Sequence, residues 1–252
     1  GVNNNKGLYV RVSNIWSNGY KEHASNDSES LFLSGGLFLN KSIWKFNLLA
    51  GNQRNGLAWM AVPEEIINCD RTSNSNSQYE KDDFSQGILQ IQNIYTPSTN
   101  KTIRSSIYYT IADGWWDFDL NNYYGLQTNI QNISRNSINS HLIGFFSNYM
   151  WSWENFKLTT GIHLNTYYNK FTESHLFSGD IWNEVYRYKD ELSSFQKIEY
   201  KLKNTLFFID IQLRRPIFNY EGNIPFEEVK WGFINPKFGS SWQISDERLM
   251  YF

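Results

Sequence analysis

Three carboxylates surround two adjacent tryptophans near the middle of the chain. Asp113, Asp117 and Asp119 flank Trp115 and Trp116. A carboxylate pair can act as acid and base in glycoside hydrolysis, but a loop does not fix the separation that this chemistry needs. The segment also lacks the twelve-residue pattern of a calcium loop. Two interpretations remain: an aromatic girdle followed by a solvated loop, or a loop that binds ligand. In the second interpretation Trp115 and Trp116 stack on sugar rings or aromatic chelators, while Asp113 and Asp117 supply hydrogen bonds.

The other residue types that could ligate a metal or act as nucleophiles are scattered. The histidines are His23, His141, His163 and His175, and no two of them have the spacing of a metal-binding pair. A hydrogen bond is a sufficient role for His163. Cys69 is the only cysteine, which excludes a disulfide framework and cysteine-based metal clusters. We therefore predict that the protein is not an enzyme and has no cofactor and no metal site.

Composition excludes several classes of protein. The chain has 252 residues, with 23 Lys and Arg against 25 Asp and Glu and a net charge of −2, so it lacks the basic footprint of a nucleic-acid-binding protein. Aromatic residues make up 17% and there are only 5 prolines, which favours folded β-structure over disorder. The mean hydropathy of −0.54 and the lack of a long apolar run exclude a membrane-spanning helix. Strands with apolar residues at alternate positions could still cross a membrane.

Apolar and polar residues alternate with period two along much of the chain, which predicts strands with one apolar and one polar face. The pattern is clear over 101–113 and 205–215. Over 137–150 bulky residues occupy both sets of positions, and no face can be assigned. In a barrel the polar face would point into the lumen, and it would then carry Arg104, His163, Asp210, Gln212 and Arg214. Their alternative role is only to hydrogen-bond one another and a plug domain inside the barrel.

Ten strands and the start of an eleventh are predicted. Most exceed the usual soluble strand of about 5–6 residues and meet the roughly 9–11 residues needed to cross a bilayer core. Connections alternate between long and short, which places all tight turns at one end of the strands. The predicted strands cover residues 8–17, 29–39, 43–54, 82–95, 101–113, 138–150, 156–169, 194–202, 205–216, 231–244 and 248 onward. The predicted fold is all-β, an antiparallel up-and-down transmembrane β-barrel.

Four segments resemble the TonB-dependent outer-membrane receptors, in particular those of Bacteroidetes-type bacteria. Residues 17–38 are similar to a strand, the first outer loop and its return strand, and residues 108–120 to a strand ending in a glycine and paired aromatics. Residues 233–252 resemble an Asn-Pro-Lys-x-Gly return strand. Residues 45–74 resemble a strand leading into a loop with Trp, Val-Pro-Glu and Arg-Thr-x-Asn. In that loop Trp59 and Glu64 are candidate ligand contacts, with a structural corner as the alternative.

The resemblance implies that these residues are part of a larger barrel. Receptors of this kind have about 22 strands filled by an N-terminal plug. Residues 1–252 would then form part of a single barrel domain, an open half-barrel, with the plug, the TonB box and the C-terminal strands absent. We expect a strongly curved sheet that is open along one side. A compact two-sheet sandwich would contradict this prediction.

The implied function is energised uptake of a scarce nutrient across the bacterial outer membrane. The ligand would be a ferric siderophore, a cobalamin-like cofactor or a glycan. The other partners would be outer-membrane lipid and the TonB energy-transducing complex, which acts through the plug; no nucleic acid is expected. Two alternatives stay open: a passive porin-type channel, and a soluble carbohydrate-binding β-domain that uses loop tryptophans.

Overall fold

One antiparallel sheet makes up almost the whole molecule. A computed structural model describes the backbone of residues 1–252 and every side chain except that of Val2. The strands are β1 (Val2–Asn3), β2 (Lys6–Ser17), β3 (Asn26–Phe38), β4 (Ser42–Gly56), β5 (Lys81–Ser98), β6 (Lys101–Asp119), β7 (Ile133–Trp153), β8 (Phe156–His175), β9 (Ile181–Leu202), β10 (Thr205–Glu221), β11 (Val229–Lys230), β12 (Phe233–Ser245) and β13 (Arg248–Tyr251). Two short helices, α1 (Glu64–Cys69) and α2 (Leu120–Tyr124), lie in the longer connections. Neither helix of the described chain is long and apolar enough to cross a membrane.

Each long strand pairs with the next one along the chain. The order is β1 to β10 in sequence, then β12 and β13, while β11 pairs with β10. The all-β, antiparallel up-and-down prediction is confirmed. Within the described residues β1 and β13 are the two free edges, so the sheet is open, and no second sheet packs on the first as a sandwich would require.

Short turns and long connections alternate, as predicted. Residues 99–100, 154–155 and 203–204 form two-residue turns, in which Glu154 and Lys203 adopt positive φ values of 46° and 52°. Positive φ is what tight hairpin turns require. At the other end of the strands the connections are 18–25, 57–80, 120–132, 176–180 and 222–232. We call the half of the sheet next to the short turns the lower half and the other the upper half.

The strands extend further toward the long connections than predicted. β7 begins at Ile133 rather than 138, β8 ends at His175 rather than 169, and β9 begins at Ile181 rather than 194. The prediction of long loops over 114–137 and 170–193 was therefore wrong for most of these residues. Both sides of the sheet carry polar residues there, so the sequence alternation fades while the backbone ladder continues.

The two faces of the sheet differ in composition and exposure. Cross-strand pairing places Ile107 beside Phe145, Phe145 beside Leu164, and Leu164 beside Leu192, on what we call the apolar face. These side chains are exposed, Ile107 by 56% and Leu192 by 46%. The opposite side, which we call the polar face, carries hydroxyl, amide and charged groups that are mostly half-buried. A sheet in water has the reverse arrangement, because its apolar face is covered.

Few apolar side chains are buried anywhere in the described chain. Those that are, Ile133 and Val185, lie in the upper half and are each 1% exposed. The apolar face instead runs uncovered from β2 to β12. Its members include Leu8, Val10, Val12, Leu48, Ile91, Ile143, Ile162, Ile209, Ile211, Leu213, Ile234 and Phe238.

Aromatic side chains border the apolar face at both ends. Tyr109, His141, Tyr168 and Tyr188 form the upper row: the Tyr109 hydroxyl lies 2.6 Å from His141 Nδ1, and ring centres are 6.0 Å apart for His141–Tyr168 and 5.4 Å for Tyr168–Tyr188. The lower row, near the short turns, contains Trp44, Tyr95, Trp151, Tyr200 and Trp242. An apolar band between two aromatic rows is typical of strands that cross a bilayer.

Candidate ligand-binding site

The structure separates the predicted ligand-binding residues. Asp113, Trp115, Trp116 and Asp117 belong to β6 rather than to a loop. Trp116 lies on the polar face, whereas the other three lie on the apolar side of the strand, above the upper aromatic row. Their role in binding stays a prediction, but one flat site cannot use all four.

Side chains of β7 contact Asp113, Trp115 and Asp117, the three residues on the apolar side. Arg135 donates two hydrogen bonds of 2.8 Å to Asp117, and its guanidinium lies 3.8 Å from the centre of the Trp115 ring. Asn139 donates to Asp113 at 2.8 Å. Only 4% of the Asp117 side chain is exposed. Because the hydrogen-bonding groups of these carboxylates have protein partners, they have less capacity for a ligand.

Trp116 is the centre of a row of rings on the polar face. Its ring centre lies 6.2 Å from that of Phe84 in β5 and 6.2 Å from that of Phe171 in β8. The guanidinium of Arg187 lies 5.5 Å from the centre of the Phe171 ring and donates a hydrogen bond to Asn169 at 3.2 Å. The row therefore spans four strands and has one cation at its far end.

The loop residue Trp59 extends this row upward. Its ring stacks on Phe118 at 5.7 Å with an interplanar angle of 13°, and Tyr123 of α2 lies 5.0 Å from Phe118. Phe118 follows Trp116 by two positions, so both lie on the polar face. We call the six rings of Trp59, Phe84, Trp116, Phe118, Tyr123 and Phe171 the aromatic strip. Glu64 lies in the first turn of α1, where the helix dipole favours a carboxylate.

Glycines opposite the rings shape the polar face. Phe84 pairs directly with Gly114, on which a Cβ would lie 2.5 Å from the ring. Tyr108 pairs in the same way with Gly144, whose Cβ would overlap the phenol ring. Without a side chain on the partner, a ring can lie across the neighbouring strand. Two further pairs of this kind are Phe195 with Gly161 and Phe208 with Gly239.

A pocket of about 260 Å³ lies beside Phe84 in the upper half of the sheet. Among the described residues no lysine or arginine lines it. Glu29 contributes to the lining from the other side of β3, where Asn14 donates to it at 3.4 Å. The polar-face lining consists of Ile15, Leu49, Gly51, Phe84, Ile88, Ser13, Ser28, Ser30, Gln53 and Gln86. The pocket thus combines apolar walls with hydroxyl and amide groups.

Buried polar contacts join two long connections beside the upper end of the strip. Asn122 of α2 donates to the Ser75 carbonyl at 2.8 Å and to Glu80 Oε2 at 3.3 Å. The Met60 amide donates to Asn76 Oδ1 at 2.9 Å. Glu80 is 1% exposed, and among the described residues its Oε1 has no hydrogen-bond partner. The Asn122 contacts hold 57–80 and 120–132 together, and we call the pair of connections the loop cap.

All five residues predicted to face a lumen lie on the polar face: Arg104, His163, Asp210, Gln212 and Arg214. His163 Nε2 lies 2.7 Å from the Tyr108 hydroxyl. Arg214 donates two hydrogen bonds to Glu191, at 2.7 and 2.9 Å. Their sharing of one face agrees with the alternation in the sequence, while a role beyond these contacts stays a prediction.

Charge differs between the two halves of the polar face. Basic side chains predominate in the lower half, which carries Arg11, Lys45, Arg104, Lys157, Lys197 and Lys237. Glu199 there contacts Lys157 at 3.1 Å and Lys197 at 2.8 Å. In the upper half Asp82 and Glu173 balance Arg187 and Lys189. The half that holds the aromatic strip is therefore close to neutral.

Two aspartates near the long connections have shifted pKa values. Burial raises the pKa of Asp82, although Asn55 donates a 2.7 Å hydrogen bond to its carboxylate. Hydrogen bonds from Thr72 lower the pKa of Asp70, which follows α1. Asp82 pairs directly with Trp116, so the carboxylate beside the strip is one whose ionisation is disfavoured. In the described chain no three His, Cys, Asp or Glu side chains are grouped to hold a metal ion.

Trp59 and Trp116 were predicted as ligand contacts, which stays a prediction, whereas their ring neighbours Phe84, Phe118 and Phe171 were not predicted. A phenylalanine at an alternating position is not distinguishable from any other apolar strand residue. The glycine opposite Phe84 becomes informative only when the strand register is known. Glu80 was also missed, because its burial depends on contacts with a connection more than 40 residues away.

Comparison with known proteins identifies the fold of the chain but assigns its sequence to no family. No protein-family model and no curated protein matches the chain. The unliganded ferric citrate transporter FecA matches with a TM-score of 0.83 at 11% identity, over 99% of this chain and 39% of that one. The open form of the ferric-catecholate import receptor Fiu from E. coli K12 matches with 0.76 at 8% identity, over 100% and 50%. The copper transporter OprC matches with 0.72 at 12% identity, over 99% and 40%.

At these identities the likeness concerns the fold alone. The chain spans between about two fifths and one half of the length of these structures. The sheet has the architecture of the barrel portions of TonB-dependent receptors, which agrees with the resemblance found in the sequence. A Bacteroidetes-type origin stays a prediction. The three proteins are named as transporters or receptors of ferric citrate, a ferric catecholate and copper, so the shared fold does not identify a ligand.

Proposed function

We propose that these residues form part of the barrel of a receptor in the bacterial outer membrane that takes up a scarce nutrient. The nutrient binds at the aromatic strip and the loop cap and then passes along the polar face, which lines the lumen. A plug outside these residues couples uptake to the TonB complex, as the family resemblance implies. Outer-membrane lipid covers the apolar face, and no step of the proposal is catalytic.

The exposed apolar face is the observation that carries the proposal. Apolar side chains lie uncovered from β2 to β12, between two rows of aromatic residues. In water each buried Å² of apolar surface is worth about 25 cal/mol, so a face of this extent would be strongly driven to find a cover. Within the described residues no layer packs on it. A bilayer supplies such a cover. Most charged groups lie on the other face or at the strand ends, as lipid requires, whereas Asp190 and Arg215 lie on the apolar face beside Ile217 and Leu192.

A localisation experiment tests the proposal directly. The protein is expressed from its complete coding region, the cells are fractionated, and the outer-membrane fraction is run on a gel with and without heating. We expect an outer-membrane band whose mobility changes on heating, because membrane barrels resist detergent until they are boiled. A soluble product would contradict the proposal and favour the carbohydrate-binding β-domain. Uptake that persists without TonB would favour the passive channel.

A further inference from the structure

We infer that the ligand of this site is a neutral oligosaccharide, whose sugar rings stack on the aromatic strip and whose hydroxyl groups bind in the pocket beside Phe84. The inference rests on the proposed function and narrows it to one chemical class. Three features carry it: the arrangement of the rings, the uncharged hydrogen-bonding groups beside them, and the distribution of charge around both.

The rings of the strip are arranged as a surface rather than as a closed core. Phe84 and Trp116 are nearly parallel, with an interplanar angle of 23°, and their centres are 6.2 Å apart, so they lie side by side. Gly114 allows Phe84 to lie across the neighbouring strand. Trp59 and Tyr123 at the upper end are each more than half exposed. A sugar ring has a flat C–H face that fits such a surface, and a row of rings suits successive sugars of a chain.

The pocket next to Phe84 supplies the second half of sugar recognition. Gln53 and Gln86 each offer both a donor and an acceptor, and Ser30 offers a hydroxyl. Sugar hydroxyls are also both donors and acceptors, so amides and hydroxyls match them without leaving a charge unpaired. Within the described residues the pocket has no cation that would select a carboxylate, a phosphate or a catecholate.

Charge around the site disfavours an anionic chelate. The long connections contain eight acidic residues and only three basic ones, the acidic ones being Glu22, Glu64, Glu65, Asp70, Glu80, Asp180, Glu227 and Glu228. An anion approaching this end of the sheet is therefore repelled, whereas a neutral ligand is not. The basic side chains of the polar face are concentrated in the lower half, away from the strip. Arg187, the cation nearest the strip, lies over the Phe171 ring and donates a hydrogen bond to Asn169.

Adjacent tryptophans on opposite faces provide a matched test. The protein from the complete coding region is purified in detergent and applied to a glycan array that contains neutral, uronic-acid and sulfated oligosaccharides. The strongest neutral ligand is then titrated by calorimetry into the wild type, Trp116→Ala, Trp115→Ala and Gln86→Leu. Ferric citrate and a ferric tris-catecholate are titrated in parallel. Heat modifiability on a gel establishes that each variant is folded.

We expect neutral oligosaccharides to bind, with Kd rising about tenfold in Trp116→Ala, which corresponds to about 1.4 kcal/mol. Gln86→Leu should raise Kd as well, and it serves as the test if Trp116→Ala fails to fold. Trp115→Ala should leave Kd within about twofold of the wild type. The inference is overturned if no neutral glycan binds, if acidic glycans bind more tightly, or if only a ferric chelate binds in a Trp116-dependent way. Those results leave the receptor proposal intact, whereas a soluble product overturns the receptor proposal whatever the array shows.

Discussion

The two faces of this sheet are built from the same strands and yet follow opposite rules. On the apolar face large aliphatic side chains are exposed and make few specific contacts. On the polar face Arg214 and Glu191 form a paired hydrogen bond, and Tyr108 meets His163 at 2.7 Å. Successive residues of each strand therefore face two different environments, lipid on the apolar face and the barrel lumen on the polar face under the proposed function. Lipid offers no hydrogen-bonding partner and therefore favours apolar side chains, whereas polar side chains on the other face can bond one another or water.

The difference shows where the stability of such a sheet comes from. In a soluble protein the apolar side chains form the core, but in the described chain the buried apolar residues are Ile133 and Val185. Cohesion within the sheet therefore depends on the backbone ladder and on polar-face contacts, and the apolar face contributes only when lipid covers it. Substitutions placed on one face or the other should separate these contributions.

The largest effect is expected from a charge on the apolar face. Leu164→Arg places a guanidinium at mid-depth of the apolar band, where it should destabilise the folded protein in lipid by about 2–4 kcal/mol. Asn165→Arg, the next residue on the polar face, lies opposite Glu191 and should be tolerated. Urea-dependent folding of the complete protein into lipid vesicles measures both. Equal losses in the two variants would contradict the assignment of the faces.

A smaller loss is expected when a polar-face pair is broken. Arg214→Met removes both hydrogen bonds to Glu191, whose side chain is 8% exposed and retains only Lys189 at 3.3 Å. We expect a cost of about 1.5–3 kcal/mol, because a nearly buried carboxylate loses its main partner. Arg54→Met breaks a 2.7 Å pair in which the arginine is 69% exposed, and it should cost at most about 1 kcal/mol. The same folding assay would refute this ranking if the second variant were the more damaged.

The glycine opposite a ring gives a third test. Gly144→Ala places a methyl group against the ring of Tyr108, which must then move away from His163. Overpacking of this kind costs about 1–2 kcal/mol. Gly35→Ala is the matched control, since its methyl group would meet only the Gly7 carbonyl, at an ordinary distance of 3.8 Å. If both alanine variants unfold at the wild-type urea concentration, the ring is not held by the glycine.

The smallest effect on stability is expected above the upper aromatic row, where the apolar side of the sheet also carries charged residues. Lys170 and Glu184 form a 2.8 Å ion pair there, above the upper aromatic row, and this contact lowers the pKa of Glu184 and raises that of Lys170. The stabilisation should be present above the ordinary glutamate pKa of about 4.3 and lost as pH falls through the lowered value. On the basic side it is present below the ordinary lysine pKa of about 10.4 and lost as pH rises through the raised one.

Thermal unfolding of the complete protein in detergent between acidic and neutral pH measures this dependence. We expect Glu184→Gln to remove a small part of the loss of stability in acid, and Lys170→Met to remove the same part. An unchanged profile in both variants would mean that solvent screens the pair completely.

The sequence was most informative where lipid and water impose different demands on the two faces. Ile103, Ile107 and Ile111 revealed β6 because they alternate with polar residues on the opposite face. The faces of β7 could not be assigned, since Phe146 lies on the polar side against His163 and Phe195. Above the apolar band the alternation fades, which is why 181–193 was predicted as loop and is strand.

The candidate site was only partly predictable for a related reason. Trp115 and Trp116 look equivalent in a predicted loop, and only the extension of β6 to Asp119 places them on opposite faces. The loop cap depends on Glu80 and Asn122, which meet because two connections with no periodic pattern fold against each other. Local propensity carries no information about such a contact.

Cys69 ends α1 and is exposed in the longest connection, and it is the only thiol in these 252 residues. Within these residues, the loop side of the sheet therefore offers one site for a thiol-specific label. A membrane-impermeant maleimide added to intact cells would react with Cys69 if the long connections face outward, and only after lysis if they face inward. A fluorophore on the same atom would report, from a known point beside the loop cap, whether that cap moves when a ligand arrives.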